Sequence, residues 1–305
     1  MERNTRVQAR RLTVYTGHTG NLYALAVDKA LGYVYTSGTD GLVIRWDINV
    51  FGEGKVIAKL GEAVHCLQVE EGQNRLWVGS AKGQVHVVDL TEKKEIKLFA
   101  SHALALFDIK QLGEHMYSAG GDGCVVKYSL QDLSIKKVRK LSDKSIRCIA
   151  IDKVGNKLAA GSSDGNIYLL SKNLEIYDEI IAAHESSVFS LVFSREGQCL
   201  LSGGRDAMLG VWDLGNGVKN THKIAAHNLH VHGLSVQAEG QYFLSSSMDK
   251  TIKIWDLHDF SLLRVMDKER HQAHVNSINK IAWMSDDKFV SISDDKSVML
   301  WALIS

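Results

Sequence analysis

The chain has 305 residues, 45% of them hydrophobic, which is enough to fill a large core. Its 36 basic and 35 acidic side chains leave a formal charge of +1. That argues against a generic binder of nucleic acid or anionic membrane, both of which need a basic surplus. The four cysteines, at 66, 124, 148 and 199, are far apart and form no C-x-x-C pair, which excludes a disulfide framework and the usual zinc spacings and suits a reducing, cytoplasmic setting. No apolar run reaches signal-peptide length or the ~18 residues of a membrane span.

From the N-terminus, residues 11–16 read RLTVYT, a strand with no partner of its own. Gly17-His18 follows, then the apolar pair Leu22/Leu25, then SGTDGLVIRWDI over residues 37–48. This unit recurs down the chain: GSAKGQVHVVDL at 79–90, AGGDGCVVKYSL at 119–130, AGSSDGNIYLLS at 160–171, SGGRDAMLGVWDL at 202–214, SSSMDKTIKIWDL at 245–257 and SISDDKSVMLWAL at 291–303. The turn position falls at 40, 82, 122, 164, 206, 249 and 295, and it is Asp everywhere except Lys82. Ahead of five turns stands a His followed by two apolar residues at fixed spacing: His18, His102, His184, His227 and His274. Repeats two and four keep the apolar pair (Val64/Leu67, Ile146/Ile149) and lack the His.

Each unit alternates apolar and polar residues, is rich in Val, Ile, Leu and Tyr, and is broken by Gly, Asp, Asn and Lys turns. Four short strands in about 42 residues make one blade of a radial array. Seven units predict an all-β, closed seven-bladed β-propeller, one domain over residues 1–305, with four antiparallel strands per blade. The last repeat stops just after the Trp301 strand, so residues 11–16 are expected to supply the missing outer strand of blade seven and remove an exposed edge.

The Trp-Asp dipeptides 46–47, 212–213 and 255–256 and the Gly17-His18 pair resemble the WD-repeat family over the whole chain. Val88-Asp89, Tyr128-Ser129, Leu170-Ser171 and Trp301-Ala302 depart from its pattern. A Ser/His/Asp set such as His184, Ser202 and Asp206 invites a catalytic reading. It recurs, however, as His18/Thr36/Asp40, His102/Ser118/Asp122, His227/Ser245/Asp249 and His274/Ser291/Asp295, each with an aromatic partner: Trp46, Tyr128, Trp212, Trp255 or Trp301. An enzyme needs one triad, not five. The resemblance implies structural tetrads in which Asp accepts from His, His bridges to Ser or Thr, and the hydroxyl meets the indole or phenol. Repeats two and four are expected to lack such networks.

No catalytic residue, metal site or cofactor is assigned. His222, His227, His230 and His232 crowd repeat six without a carboxylate or Cys ligand beside them, and Asp108 is the one acid in the core of the inner strands. The basic run 136–140 reads as a solvated outer face. The expected function is a non-catalytic protein-interaction scaffold that binds a peptide or partner domain around the channel mouth within a larger complex. The alternative is an enzyme or small-ligand binder that uses the central channel. The resemblance implies contact positions just after the first apolar residue of each inner strand: Tyr23, His65, Phe107, Arg147, Phe189, His232 and Asn279. It implies a second set just before each turn Asp, which includes Arg205 and Met248. Phe107 and Phe189 are equally readable as a channel plug.

Overall fold

A computed structural model describes residues 7–194, 197–215, 217–238 and 240–304. The first six residues and Ser305, which the expected 1–305 span includes, lie outside the described residues. Seven four-stranded antiparallel sheets form seven blades. Their inner strands are Leu22–Asp28, Val64–Val69, Leu106–Leu112, Ile146–Asp152, Val188–Ser194, Val231–Val236 and Ile278–Trp283. Inner strands of successive blades touch all the way round, blade seven against blade one included.

Burial follows the sequence pattern. The inner, second and third strands carry nearly all of the core, whereas outer strands such as Lys94–Ala100 are exposed apart from one anchor, Phe99. Apolar clusters lie between neighbouring blades. One joins Trp77 and Phe99 of blade two to Met116 and Tyr128 of blade three. The array is therefore held by blade-to-blade packing, and each blade depends on its neighbours.

Blade seven closes as the sequence predicts. Gln8–Tyr15 pairs antiparallel with Val298–Ile304, with Arg11 opposite Trp301. The strand begins three residues earlier than the RLTVYT segment suggested. It is clamped again by Arg264, whose Nε donates to the Val7 carbonyl at 2.9 Å. Among the described residues, no helix is long and apolar enough to cross a membrane.

One irregularity is common to all blades. Each inner strand shifts register after its first residue, so that Tyr23, His65, Phe107, Arg147, Phe189, His232 and Asn279 each sit in a bulge, unpaired with the second strand. A bulge re-aims the side chain it carries. Here it turns seven side chains out of the interblade packing and toward the axis.

Candidate functional site at the channel mouth

Five blades carry a polar chain beneath the mouth face. In blade five, His184 Nδ1 meets Asp206 at 2.9 Å, Nε2 meets Ser202 Oγ at 2.8 Å, and Trp212 Nε1 donates to the same Oγ at 2.9 Å. The serine hydroxyl thus donates to Nε2 and accepts from the indole, so the His carries its proton on Nδ1 toward the carboxylate. The same chain runs through His18, Thr36, Asp40 and Trp46, through His227, Ser245, Asp249 and Trp255, and through His274, Ser291, Asp295 and Trp301. In blade three, His102, Ser118 and Asp122 end on the Tyr128 hydroxyl, which passes on to Ser101 Oγ at 2.6 Å. Each Asp also accepts the backbone N–H of the residue after its His, as Thr19 does with Asp40 at 2.9 Å. Burial pushes these carboxyls up, but the His and backbone donors outweigh it and hold them below the usual range. All twenty side chains are thereby occupied with one another.

Blade two corrects the expectation that it lacks a network, whereas blade four keeps one polar pair, with Ala160 and Leu170 at the hydroxyl and indole places. In blade two, Glu70, 1% exposed, accepts from Trp77 Nε1 at 2.8 Å and pairs with Arg75, which also donates to the Leu130 carbonyl of blade three. In blade four, Ser142 takes the place of the His and its Oγ donates to Asp164 at 2.6 Å. A buried carboxylate and indole need partners wherever they lie, and in blade two those partners come from positions outside the repeat template.

The bulged residues form a nearly continuous annulus. Tyr23 meets His65 edge-on at 5.8 Å, and His65 stacks on Phe107 at 5.8 Å with an interplanar angle of 1°. The Arg147 guanidinium lies 3.7 Å over the Phe107 ring and 5.4 Å from that of Phe189. Phe189 packs edge-on against His232 at 5.3 Å, and His232 Nδ1 contacts Asn279 Oδ1 at 3.2 Å. Asn279 Nδ2 closes the ring by donating to the Leu22 carbonyl of blade one at 2.8 Å, and it also binds Asp294.

Together with Lys280, these seven line a cavity of about 370 Å³. A second chamber of about 330 Å³ lies below it and shares Phe189, His232 and Lys280. Arg205 and Met248, grouped with the ring on sequence grounds, stand outside the cavity on the turns of blades five and six; both are exposed.

The electrostatics of the mouth are one-sided. Burial lowers His65, and burial together with His230 pulls His232 down to about 4, so both rings are neutral at neutral pH. Burial also lowers Arg147, which stays cationic. Among the described residues no carboxylate pairs with Arg147 or Lys280. Asp108 is already used below the ring: it accepts from Ile149 N and Ile109 N, each at 2.9 Å, and sits 3.4 Å from Lys110. The mouth is therefore an aromatic-walled pocket with two cations that form no ion pair among the described residues, and with Asp294 bonded to Asn279 at its rim.

Lys280 is the residue that sequence reasoning missed. It follows the bulged Asn279, where other blades place Ala24, Cys66, Asp108, Cys148, Ser190 or Gly233. A cation among mostly small residues was the available signal. Cys66 and Cys148 are buried thiols on the inner strands of blades two and four.

The fold matches a solved WD40 propeller, that of Doa1, with a TM-score of 0.86 over 97% of both chains at 17% identity. Among curated proteins, the chain is 28% identical to "WD repeat-containing protein 55 homolog" from Dictyostelium discoideum, over 52% of this chain and 39% of that one. It is 25% identical to "U3 snoRNP-associated protein-like EMB2271" from Arabidopsis thaliana, over 67% of this chain and 46% of that one. It is 28% identical to "THO complex subunit 6 homolog" from Danio rerio, over 40% of this chain and 41% of that one. The matches span less than half the length of each of these three relatives. The family profile "WD domain, G-beta repeat" matches residues 9–47, 135–170, 177–213, 218–256 and 267–302. Since those stretches make up more than half of the sequence, the chain belongs to the WD40-repeat family.

Proposed function

We propose that this propeller is a non-catalytic docking module whose channel mouth binds an acidic, apolar-anchored segment of a partner protein. The observation that carries the reading is Arg147: a guanidinium held between two phenyl rings, with no carboxylate paired to it among the described residues. Burying a charge without a counter-charge is costly, and a carboxylate from outside would offset that cost. Lys280 adds a second donor in the same cavity. Around it, Leu104, Leu229, Met248 and Val275 stand exposed on loops and turns of the same face, which suits an apolar anchor. Aromatic residues with Arg are also the composition of interface hot spots.

Two relatives bear names of assemblies, the THO complex and the U3 snoRNP, which accords with a protein partner for this chain as well. The buried thiols of Cys66 and Cys148 accord with a reducing compartment. An enzyme that used the channel would need convergent acids or bases on the axis. Asp108 is engaged with backbone donors, and the tetrad side chains are occupied with one another.

The test is selection of a random peptide library on the immobilised protein. Selected peptides should share a carboxylate next to an apolar residue, and Arg147→Leu should abolish that enrichment. Enrichment of basic peptides, or of the same acidic peptides on Arg147→Leu, contradicts the reading.

A further inference from the structure

A second cationic site lies on the opposite face, between blades three and four. Lys127, on strand Cys124–Ser129, is only 7% exposed. The equivalent position in five other blades is the buried or nearly buried apolar residue Val87, Leu169, Val211, Ile254 or Leu300, each opposite a second-strand residue as Lys127 is opposite Tyr117. Packing alone therefore does not call for a lysine here. Blade one has Arg45, whose guanidinium lies 4.4 Å over the Tyr33 ring.

The surroundings of Lys127 offer little negative charge. Its Nζ donates to Asn173 Oδ1 at 3.1 Å and lies 6.0 Å from the Tyr117 ring centre. Tyr117 in turn donates its hydroxyl to the Lys172 carbonyl at 2.7 Å, which fixes the turn of blade four that carries Lys172 and Asn173 against blade three. Nearby Lys137 is paired with Glu175, and Lys136 with Asp132. Among the described residues no carboxylate pairs with Lys127 or Lys172. Burial first, then the charges of Lys172 and Lys137, lower the Lys127 ammonium; burial, Lys127, Lys172 and Lys136 together lower His115, against the opposing pull of Glu114. Several cations thus lie together where blades three and four meet, and the most buried of them has an amide oxygen and an aromatic ring, but no carboxylate, as partners.

We infer that this junction binds a small phosphate-bearing anion, with Lys127 and Lys172 as its charged donors and the Asn173 amide beside them. A multivalent oxyanion supplies the negative charge that Lys127 and Lys172 lack, and it accepts hydrogen bonds from ammonium groups on two blades at once. The same contact would pin blade three to blade four, opposite the mouth and independently of it.

The probe is inorganic pyrophosphate, titrated calorimetrically into the whole chain against sodium chloride at matched ionic strength. Binding should be saturable. Lys127→Met should weaken it by about ten-fold or more, and the exposed Lys172→Gln by roughly three-fold, the scale of losing one charge-assisted contact. Lys97→Gln on the outer strand of blade two should leave it unchanged, and the Lys127-dependent binding should persist in an Arg147→Leu background, in which anion binding at the mouth is removed. A parallel arm uses phosphatidylcholine vesicles with and without a phosphoinositide. Lys127-dependent binding to those vesicles alone assigns the phosphate to a lipid headgroup, and Lys127-dependent binding of pyrophosphate alone assigns it to a soluble ester. The inference is overturned if neither probe binds beyond the chloride control, if Lys172→Gln and Lys127→Met bind as the parent does, or if no Lys127-dependent binding remains in the Arg147→Leu background.

Discussion

Blades two and five share one four-strand plan and are pinned at opposite ends. Blade five joins its entry loop, turn and third strand near the mouth through His184, Asp206, Ser202 and Trp212. Blade two has Lys82 and Val88 at the turn and Trp positions. Its network sits at the foot of the sheet, where Glu70 holds Trp77 and Arg75. Both arrangements give their central carboxylate and their indole a partner. What a blade needs is a paired polar network, and its place along the strands is free to move.

Blade seven separates the network from closure. It keeps its tetrad but borrows its outer strand from the other end of the chain. Deleting residues 1–15 should therefore have the largest effect, aggregation or a fall in melting temperature of roughly 10 °C or more. A thermal scan that overlays the full chain would rank the networks above closure.

Within the blades, Glu70→Ala strands a buried indole and a guanidinium and should cost about 3–5 kcal/mol in urea unfolding. Asp206→Ala or Asp249→Ala leaves a His and two backbone donors without an acceptor and should cost about 2–4 kcal/mol. If Glu70→Ala is nearly neutral while Asp206→Ala is not, the two networks are not equivalent and the comparison fails. Lys82 is mostly exposed and 4.0 Å from Glu62, so Lys82→Ala should change stability by no more than about 0.5 kcal/mol.

The ring adds its own pH dependence to that of the blade networks, where burial also lowers His18 and His227. Its burial lowers His232 from 6.5 to about 4, so the unfolded chain takes up that proton first as the pH falls. The stability involved is complete above about pH 6.5 and is lost as the pH drops toward about 4. His232→Asn should flatten the slope of melting temperature against pH across that window, and an unchanged slope would remove His232 as its source.

The fold was legible because Asp, Gly and the apolar pairs recur at one register, and backbone geometry needs them there. The annulus was legible for a related reason: the residue after the first apolar position is the bulged one in every blade, so seven side chains share a fate that a sequence register predicts. Arg205 and Met248 were grouped with it because they share its face, but both are exposed and neither lines the cavity, whereas Asp294 at the same place in blade seven does reach Asn279. Glu70 was hidden by its setting. In VEEGQN it reads as the first acid of a solvated turn, and only the packing of Trp77 against Phe99 and Tyr128 shows that the chain folds back over it. Lys280 was hidden because no periodic pattern marks a position whose neighbours in other blades are mostly small.

The most direct test of the mouth is the affinity of one selected acidic peptide for the parent chain and for Arg147→Leu, read alongside their melting temperatures. A guanidinium between two rings, with no ion pair among the described residues, predicts a loss of about 1–3 kcal/mol in binding with the melting temperature unchanged or slightly raised. Equal affinity for both proteins, or a loss of binding that appears only with a collapse in melting temperature, would contradict it.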